Sequence, residues 1–190
     1  MGPLLDLDHR LFVEINSWSG SWLDAPFILL TTAGNSYLSL VILFGFLWFF
    51  DRAKIWDKMQ FFLFYLVGCE GVIHLLKLFF SRLRPYDYFS IGPEEIPMIG
   101  KYLIGIPQTY SFPSGHATIA FALAVILNIF YRHKLPYLYL VAFLIAFSRV
   151  YLGVHFPLDV LGGGILGVFL GTLVGSYAHG RLKAYGGRSS

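Results

Sequence analysis

Charge is what this chain has least of. Only 13% of its 190 residues are Asp, Glu, Lys or Arg, about half the roughly 25% of an ordinary soluble domain. That deficit, beside 56% hydrophobic residues, excludes a conventional water-soluble fold and points to a membrane protein with little mass outside the bilayer. No run of Lys or Arg breaks the apolar background, and the net charge is only +3. A nucleic-acid patch is therefore not expected. Cys69 is the single cysteine, which excludes an intramolecular disulfide. The first twenty residues carry Asp6, Asp8, His9, Arg10 and Glu14 and lack the basic and apolar regions of a cleaved signal. The small polar stretch at 186–190 reads as a flexible tail, leaving residues 1–185 as one integral-membrane domain.

Long apolar runs are abundant. A spanning helix needs about 20 mostly apolar residues, and five segments qualify: Pro26 to Phe50, Met59 to Phe80, Ser114 to Tyr131, Leu135 to Leu152 and Leu158 to Tyr177. The patch Gly34-Asn35-Ser36 is expected to kink or split the first. In the last, Gly163, Gly167, Gly171 and Gly175 recur every four residues and form a stripe that admits a close neighbour. The stripe reads as packing within the chain, with a dimer seam as the alternative. Leu4 to Trp18 is too polar to span. Its leucines, Phe12 and Ile15 gather on one face, with Asp6, Asp8, Arg10 and Glu14 elsewhere, as in a helix lying at the membrane interface. The expected fold is thus all-α: a polytopic transmembrane bundle of five to six helices plus an N-terminal interfacial helix.

Cations divide unevenly between the segment ends. One side receives Arg52, Lys54, Lys58, Arg132, Lys134, Arg181, Lys183 and Arg188; the other receives Arg10, Arg82, Arg84, Lys101 and Arg149. The first side is expected to be cytoplasmic. The longest connection, Ser81 to Ser111, falls on the outer side and is expected to lie on the lipid surface near the site. Glu94 and Glu95 argue against simple anion attraction by that loop.

Three short blocks lie at the ends of these segments: Lys77-x6-Arg84-Pro85, Pro113-Ser114-Gly115-His116, and Ser148-Arg149-x5-His155-x3-Asp159. The segment directions bring all three to the outer side. Ionisable residues at membrane depth are costly and read as functional by default. Lys77, Arg84 and Arg149 can hold a phosphate dianion, Arg as a planar fork and Lys as a point charge. Ser114 suits an N-cap, the helix start behind it favours an anion, and Gly115 leaves room for an oxygen to come close. His155 and Asp159 are four apart, one helical turn, so the carboxylate can fix one imidazole nitrogen and free the other to attack. His116, from a different helix, can act as general acid. Two histidines in separate roles suit double displacement through a phosphohistidine. Taken singly, each residue has a plainer reading: a cap, a snorkelling arginine, a structural hydrogen bond. Two histidines with an aspartate also suit a metal, but three neighbouring cations oppose one. Glu70 and His74 share a helical face with Lys77 and are expected to form a buried shell positioning it, or else to meet a polar group on another helix. Arg82 stays outside the core set, as an interfacial anchor or a lipid headgroup contact.

In order and spacing the three blocks resemble the signature of the type 2 phosphatidic acid phosphatase superfamily of integral-membrane lipid phosphatases. The resemblance implies phosphate binding by Lys77, Arg84, Ser114, Gly115 and Arg149. It implies a nucleophilic His155 oriented by Asp159, and His116 as an acid that later activates water. It also implies no metal or other cofactor, and a six-helix core whose sixth helix comes from the N-terminal region. The short chain is similar to bacterial members acting on phosphatidylglycerophosphate, undecaprenyl pyrophosphate or lipid A. By this resemblance the expected partners are the bilayer and a phospholipid or polyprenyl phosphate, in the bacterial cytoplasmic membrane with the site facing outward. A vanadate-dependent haloperoxidase shares such a pocket, but the apolar spans oppose that reading. A non-catalytic lipid-binding or transport protein is opposed by the presence of both histidines and Asp159.

Overall fold

Backbone groups in lipid must bond within their own segment, and for a single apolar run the solution is a helix. The computed structural model describes residues 2–20, 22–52, 55–90, 109–132 and 134–186, and among these no strand occurs. The helices are α1 (Pro3–Asn16), α2 (Asp24–Ala33), α3 (Ser36–Phe50), α4 (Ile55–Phe80), the single turn α5 (Pro85–Tyr88), α6 (Gly115–Phe130), α7 (Tyr137–Tyr151) and α8 (Pro157–Gly186). Most of the connection 81–111, at 91–108, and the tail at 187–190 lie outside the described residues.

The Gly34-Asn35-Ser36 patch splits the first apolar segment. Asn35 is extended at φ −68°, ψ 137°, and its side chain caps α3 by accepting the Tyr37 N–H at 3.0 Å. The two pieces meet at 78°. Ten residues of α2 rise only about 15 Å, half of a hydrocarbon core of about 30 Å. α2 therefore does not cross as a helix by itself. α4 and α8 are long and apolar enough to span, α2 with α3 qualifies only as a bent pair, and α6 and α7 are shorter apolar helices.

α6 is the centre of the bundle. On one side α8 approaches so closely that a Cβ on Gly163 would stand 2.5 Å from the Ser114 carbonyl oxygen, and one on Gly167 2.3 Å from that of Thr118. The glycine stripe is therefore spent on packing inside the chain. On another side Ala120 and Ala124 meet Ala142 and Ile145 of α7. Leu43 and Leu47 of α3 and Phe62 and Leu66 of α4 pack with Ile119 and Ile126 of α6. Phe49, Leu75, Phe79 and Ile165 are exposed, an apolar outer surface suited to lipid. At one end of the bundle Lys58 pairs with Asp51, which also accepts the Tyr131 hydroxyl at 3.2 Å, tying α3, α4 and α6. The three motif blocks lie at the other end.

The N-terminal helix corrects an expectation. Leu4, Leu5, Leu7, Leu11 and Val13 are exposed, as an interfacial helix requires, but the residues turned inward are Phe12 and Asp8. The sequence pattern sets Asp8 only apart from the apolar face; tertiary partners described below draw it into the protein.

Candidate active site

The site is built from helix ends and two turns. Lys77, buried in the last turn of α4, donates from Nζ to the Tyr110 carbonyl. Arg84 precedes α5 in extended conformation. Its Nε donates to the Thr109 carbonyl at 2.6 Å, Nη2 to Thr109 Oγ1 at 3.0 Å and Nη1 to the Val154 carbonyl at 2.9 Å. The returning segment at 109–111 is pinned to the motif by the Ser111 N–H, which donates to the Arg82 carbonyl at 2.7 Å.

His155 sits in the turn between α7 and α8. Gly153, at φ +72°, supplies a left-handed residue that glycine adopts without strain. The chain then doubles back so that the N–H groups of Val154 and His155 both donate to the Arg149 carbonyl, at 3.1 and 3.3 Å. The imidazole is buried, with Nε2 3.4 Å from Arg84 Nη1 and Nδ1 3.3 Å from Ser111 Oγ. Burial, and then the positive charges of Arg84, Arg149 and Lys77, hold His155 well below the usual imidazole range.

Asp159 reaches His155 differently from the direct contact expected. Its Oδ2 lies 3.5 Å from His155 Nδ1, beyond a good hydrogen bond. Ser111 stands between, donating its hydroxyl to Oδ2. A serine has one hydrogen to give, so its oxygen accepts from His155 Nδ1–H. This fixes the tautomer and leaves Nε2 without a hydrogen, accepting from Arg84 Nη1 at 3.4 Å. The Phe156 N–H also donates to Oδ2 at 2.8 Å, while Oδ1 accepts from Arg82 Nη1 at 2.7 Å.

α6 contributes its first turn. Ser114 occupies the N-cap position and its N–H donates to the Asp159 carbonyl at 3.0 Å, but its side chain makes no capping bond. Instead Ser114 Oγ is buried with no partner among the described residues, and the same holds for Arg149 Nε. Arg149 spends Nη1 on Thr31 of α2. A Cβ on Gly115 would meet only Ile73, at 3.9 Å. Protein packing therefore does not demand glycine there, whereas a ligand oxygen near the helix N-terminus would. His116 is half-buried. Gly34 lies beside it: a Cβ there would come within 3.1 Å of His116 Cδ2.

The family model of the PAP2 superfamily matches residues 58–183. The chain belongs to the PAP2 superfamily. It is 33% identical over 167 residues to phosphatidylglycerophosphatase B of Bacillus subtilis, covering 80% of this chain and 74% of that one. It is 27% identical over 181 residues to a lipid A 4'-phosphatase of Porphyromonas gingivalis, covering 92% and 74%. Among solved structures, the PAP2-type phosphatidylglycerolphosphate phosphatase of Bacillus subtilis superimposes with a TM-score of 0.71 at 25% identity, over 94% of this chain and 88% of that one.

Within this PAP2 fold the described structure brings together Lys77, Arg84, Ser114, Gly115, His116, Arg149, His155 and Asp159. It does not bury Glu70 and His74 with them. Both are exposed, and Glu70 accepts from Ser36 Oγ of α3 at 2.6 Å, so the buried shell behind Lys77 is replaced by a contact between α3 and α4. A carboxylate is not drawn inward where a hydroxyl on the neighbouring helix already satisfies it. Sequence reasoning passed over Ser111, Thr31, Thr109 and Asp8, and left Arg82 outside the site. Ser111 had a visible signal, a second serine two residues ahead of the block that opens at Pro113. Thr31 and Asp8 had none, because their roles arise only when α2 and α1 fold back over α7 and α8. Among the described residues no group of three or more His, Cys, Asp or Glu side chains is placed to hold a metal ion.

Proposed function

We propose that this chain hydrolyses a phosphate monoester or pyrophosphate on a membrane lipid, without a metal, through a phosphohistidine on His155. The observation that carries the reading is the orientation of that ring. Nδ1 is held by Ser111, and the unprotonated Nε2 faces Arg84 Nη1 among three cations. Lys77, Arg84 and Arg149 neutralise the phosphoryl oxygens, with Ser114 Oγ and Arg149 Nε as unused donors at the α6 start. The Nε2 lone pair attacks phosphorus. The P–O bond to the lipid breaks, and the departing oxygen takes a proton from His116. Neutral His116 then accepts a proton from water, whose oxygen attacks phosphorus; the P–N bond breaks, its electron pair returns to His155 Nε2, and inorganic phosphate is released. Asp159 acts through Ser111, stabilising the imidazole as it gains charge.

The relatives' names support phosphatidylglycerophosphate, undecaprenyl pyrophosphate or lipid A as the substrate, and phosphatidate completes the candidate set. The cation-rich ends, with Arg52, Lys58, Arg132, Lys134 and Arg181, lie opposite the site, which supports a site facing the outside of a bacterial cytoplasmic membrane. The deciding experiment assays purified protein on those four lipids in excess chelator. Phosphate release from at least one is expected, with His155→Ala inactive. Activity retained in His155→Ala overturns the mechanism, and loss in chelator restored by a metal overturns the metal-free reading.

A further inference from the structure

α1 was expected to be an anchor on the lipid surface, yet it sends one carboxylate into the protein. Asp8 is 2% exposed, whereas its helix neighbours Asp6 and Glu14 are exposed. Asp8 makes two contacts, both leading to Asp159. Its Oδ2 accepts from Arg82 Nη2, and Arg82 Nη1 donates to Asp159 Oδ1 at 2.7 Å. Its Oδ1 accepts the N–H of Leu158, the residue before Asp159, at 2.8 Å. That N–H belongs to the first turn of α8, where a helix leaves its donors unsatisfied. Arg82 is clamped as well: its guanidinium lies 4.5 Å from the ring centroid of Phe156, and its carbonyl accepts from Ser111. A guanidinium fork shared by two buried carboxylates is fixed in plane in a way a lysine cannot reproduce.

We propose that Asp8 and Arg82 are positioning residues for the reaction. They hold the Asp159 carboxylate against Ser111, and through it the reactive face of His155. The N-terminal helix is thereby part of the catalytic architecture, seated by its leucines in the lipid surface and by Asp8 on the base of the nucleophile. The alternative for Arg82, a direct hold on the phosphate, predicts different kinetics. With Arg82 Nη1 and Nη2 both engaged by carboxylates, its loss frees Asp159 Oδ1 and lets the carboxylate rotate away from Ser111. It does not remove a phosphate ligand.

The inference rests on the proposed roles of His155 and Asp159, and the test separates the two. On the lipid turned over fastest in the panel above, Asp8→Asn is expected to lower kcat about tenfold and Arg82→Lys by a similar factor, the scale on which groups behind a reacting residue act. KM and the inhibition constant of inorganic phosphate are expected to stay within about twofold, as for an interaction made only in the transition state. In an Asp159→Asn background, Asp8→Asn is expected to cost nothing further, because residues acting as one unit are not additive. A merely structural contact would instead lower kcat equally in both backgrounds. Unchanged kcat in both Asp8→Asn and Arg82→Lys, additivity with Asp159→Asn, or weakened phosphate inhibition in Arg82→Lys each overturns the proposal. If His155→Ala remains active, the underlying reading fails instead.

Discussion

Ser111 has one hydrogen and two demanding neighbours, and that arithmetic fixes the chemistry of His155. With the hydrogen given to Asp159, the ring must offer Nδ1–H and keep Nε2 unprotonated. Ser111→Ala removes both links. It is expected to reduce kcat by about 10²-fold with KM little changed, less than the roughly 10⁴ seen where a wrong tautomer is enforced outright. Steady-state kinetics check this, and an unaltered kcat would show that Asp159 acts without Ser111. The depressed proton affinity of His155 has a sign of its own. Above about pH 6.5 the ring is neutral both folded and unfolded. Below it, the unfolded chain takes up a proton that the buried ring refuses, so this residue lowers stability as the medium is acidified. The acidic limb of kcat/KM due to His155 is accordingly expected below pH 6.5. A limb at or above that value, persisting with substrates of different phosphate pKa, would contradict the buried, cation-flanked ring.

Among the elements, α6 and α8 form the contact on which the site depends. Ser114 and Asp159 are joined through their backbones at 3.0 Å, and the glycine stripe lets the two helices close just beyond that joint. Gly167→Ala drives a methyl group toward the Thr118 carbonyl, which is backbone and cannot turn aside. A cost of about 1–3 kcal/mol is expected from such overpacking, read as a lowered Tm in detergent. Gly45→Ala is the matched control. A Cβ there meets nothing within 4 Å, so its effect should remain within about 0.5 kcal/mol. Equal effects would remove close packing as the reason for the stripe. α1 was legible as amphipathic from its leucines, but the periodicity carries no information about which acid turns inward. Burial of Asp8 is set by Arg82 and Leu158, residues distant in the chain.

For the whole molecule, the arrangement makes a statement about sidedness. The site end holds Ser90, just beyond α5, and the opposite end holds Arg132, just beyond α6. Cys69 is 2% exposed and gives little background to thiol reagents. In intact cells, a membrane-impermeant maleimide is expected to label Ser90→Cys and to spare Arg132→Cys, which becomes reactive only after permeabilisation. The reverse pattern would turn the site toward the cytoplasm and change the leaflet from which the substrate comes.

Sequence by itself determined the material and the reagents. Runs of uncharged apolar residues compel helices in lipid, and three motif blocks at the ends of alternating segments must meet on one side, since antiparallel neighbours share their ends. Asn35 and Gly34 likewise marked the break between α2 and α3, because a cap and a glycine act locally. Only the tertiary structure decided what stands behind His155. Glu70 and Lys77 share a helical face, yet Glu70 turns to Ser36 on α3. Asp159 and His155 are one turn apart, yet Ser111 comes between them, and Arg82 with Asp8 closes the row from outside. Hydrogen-bond partners of buried charges are chosen by which elements pack together, and local spacing does not encode that choice.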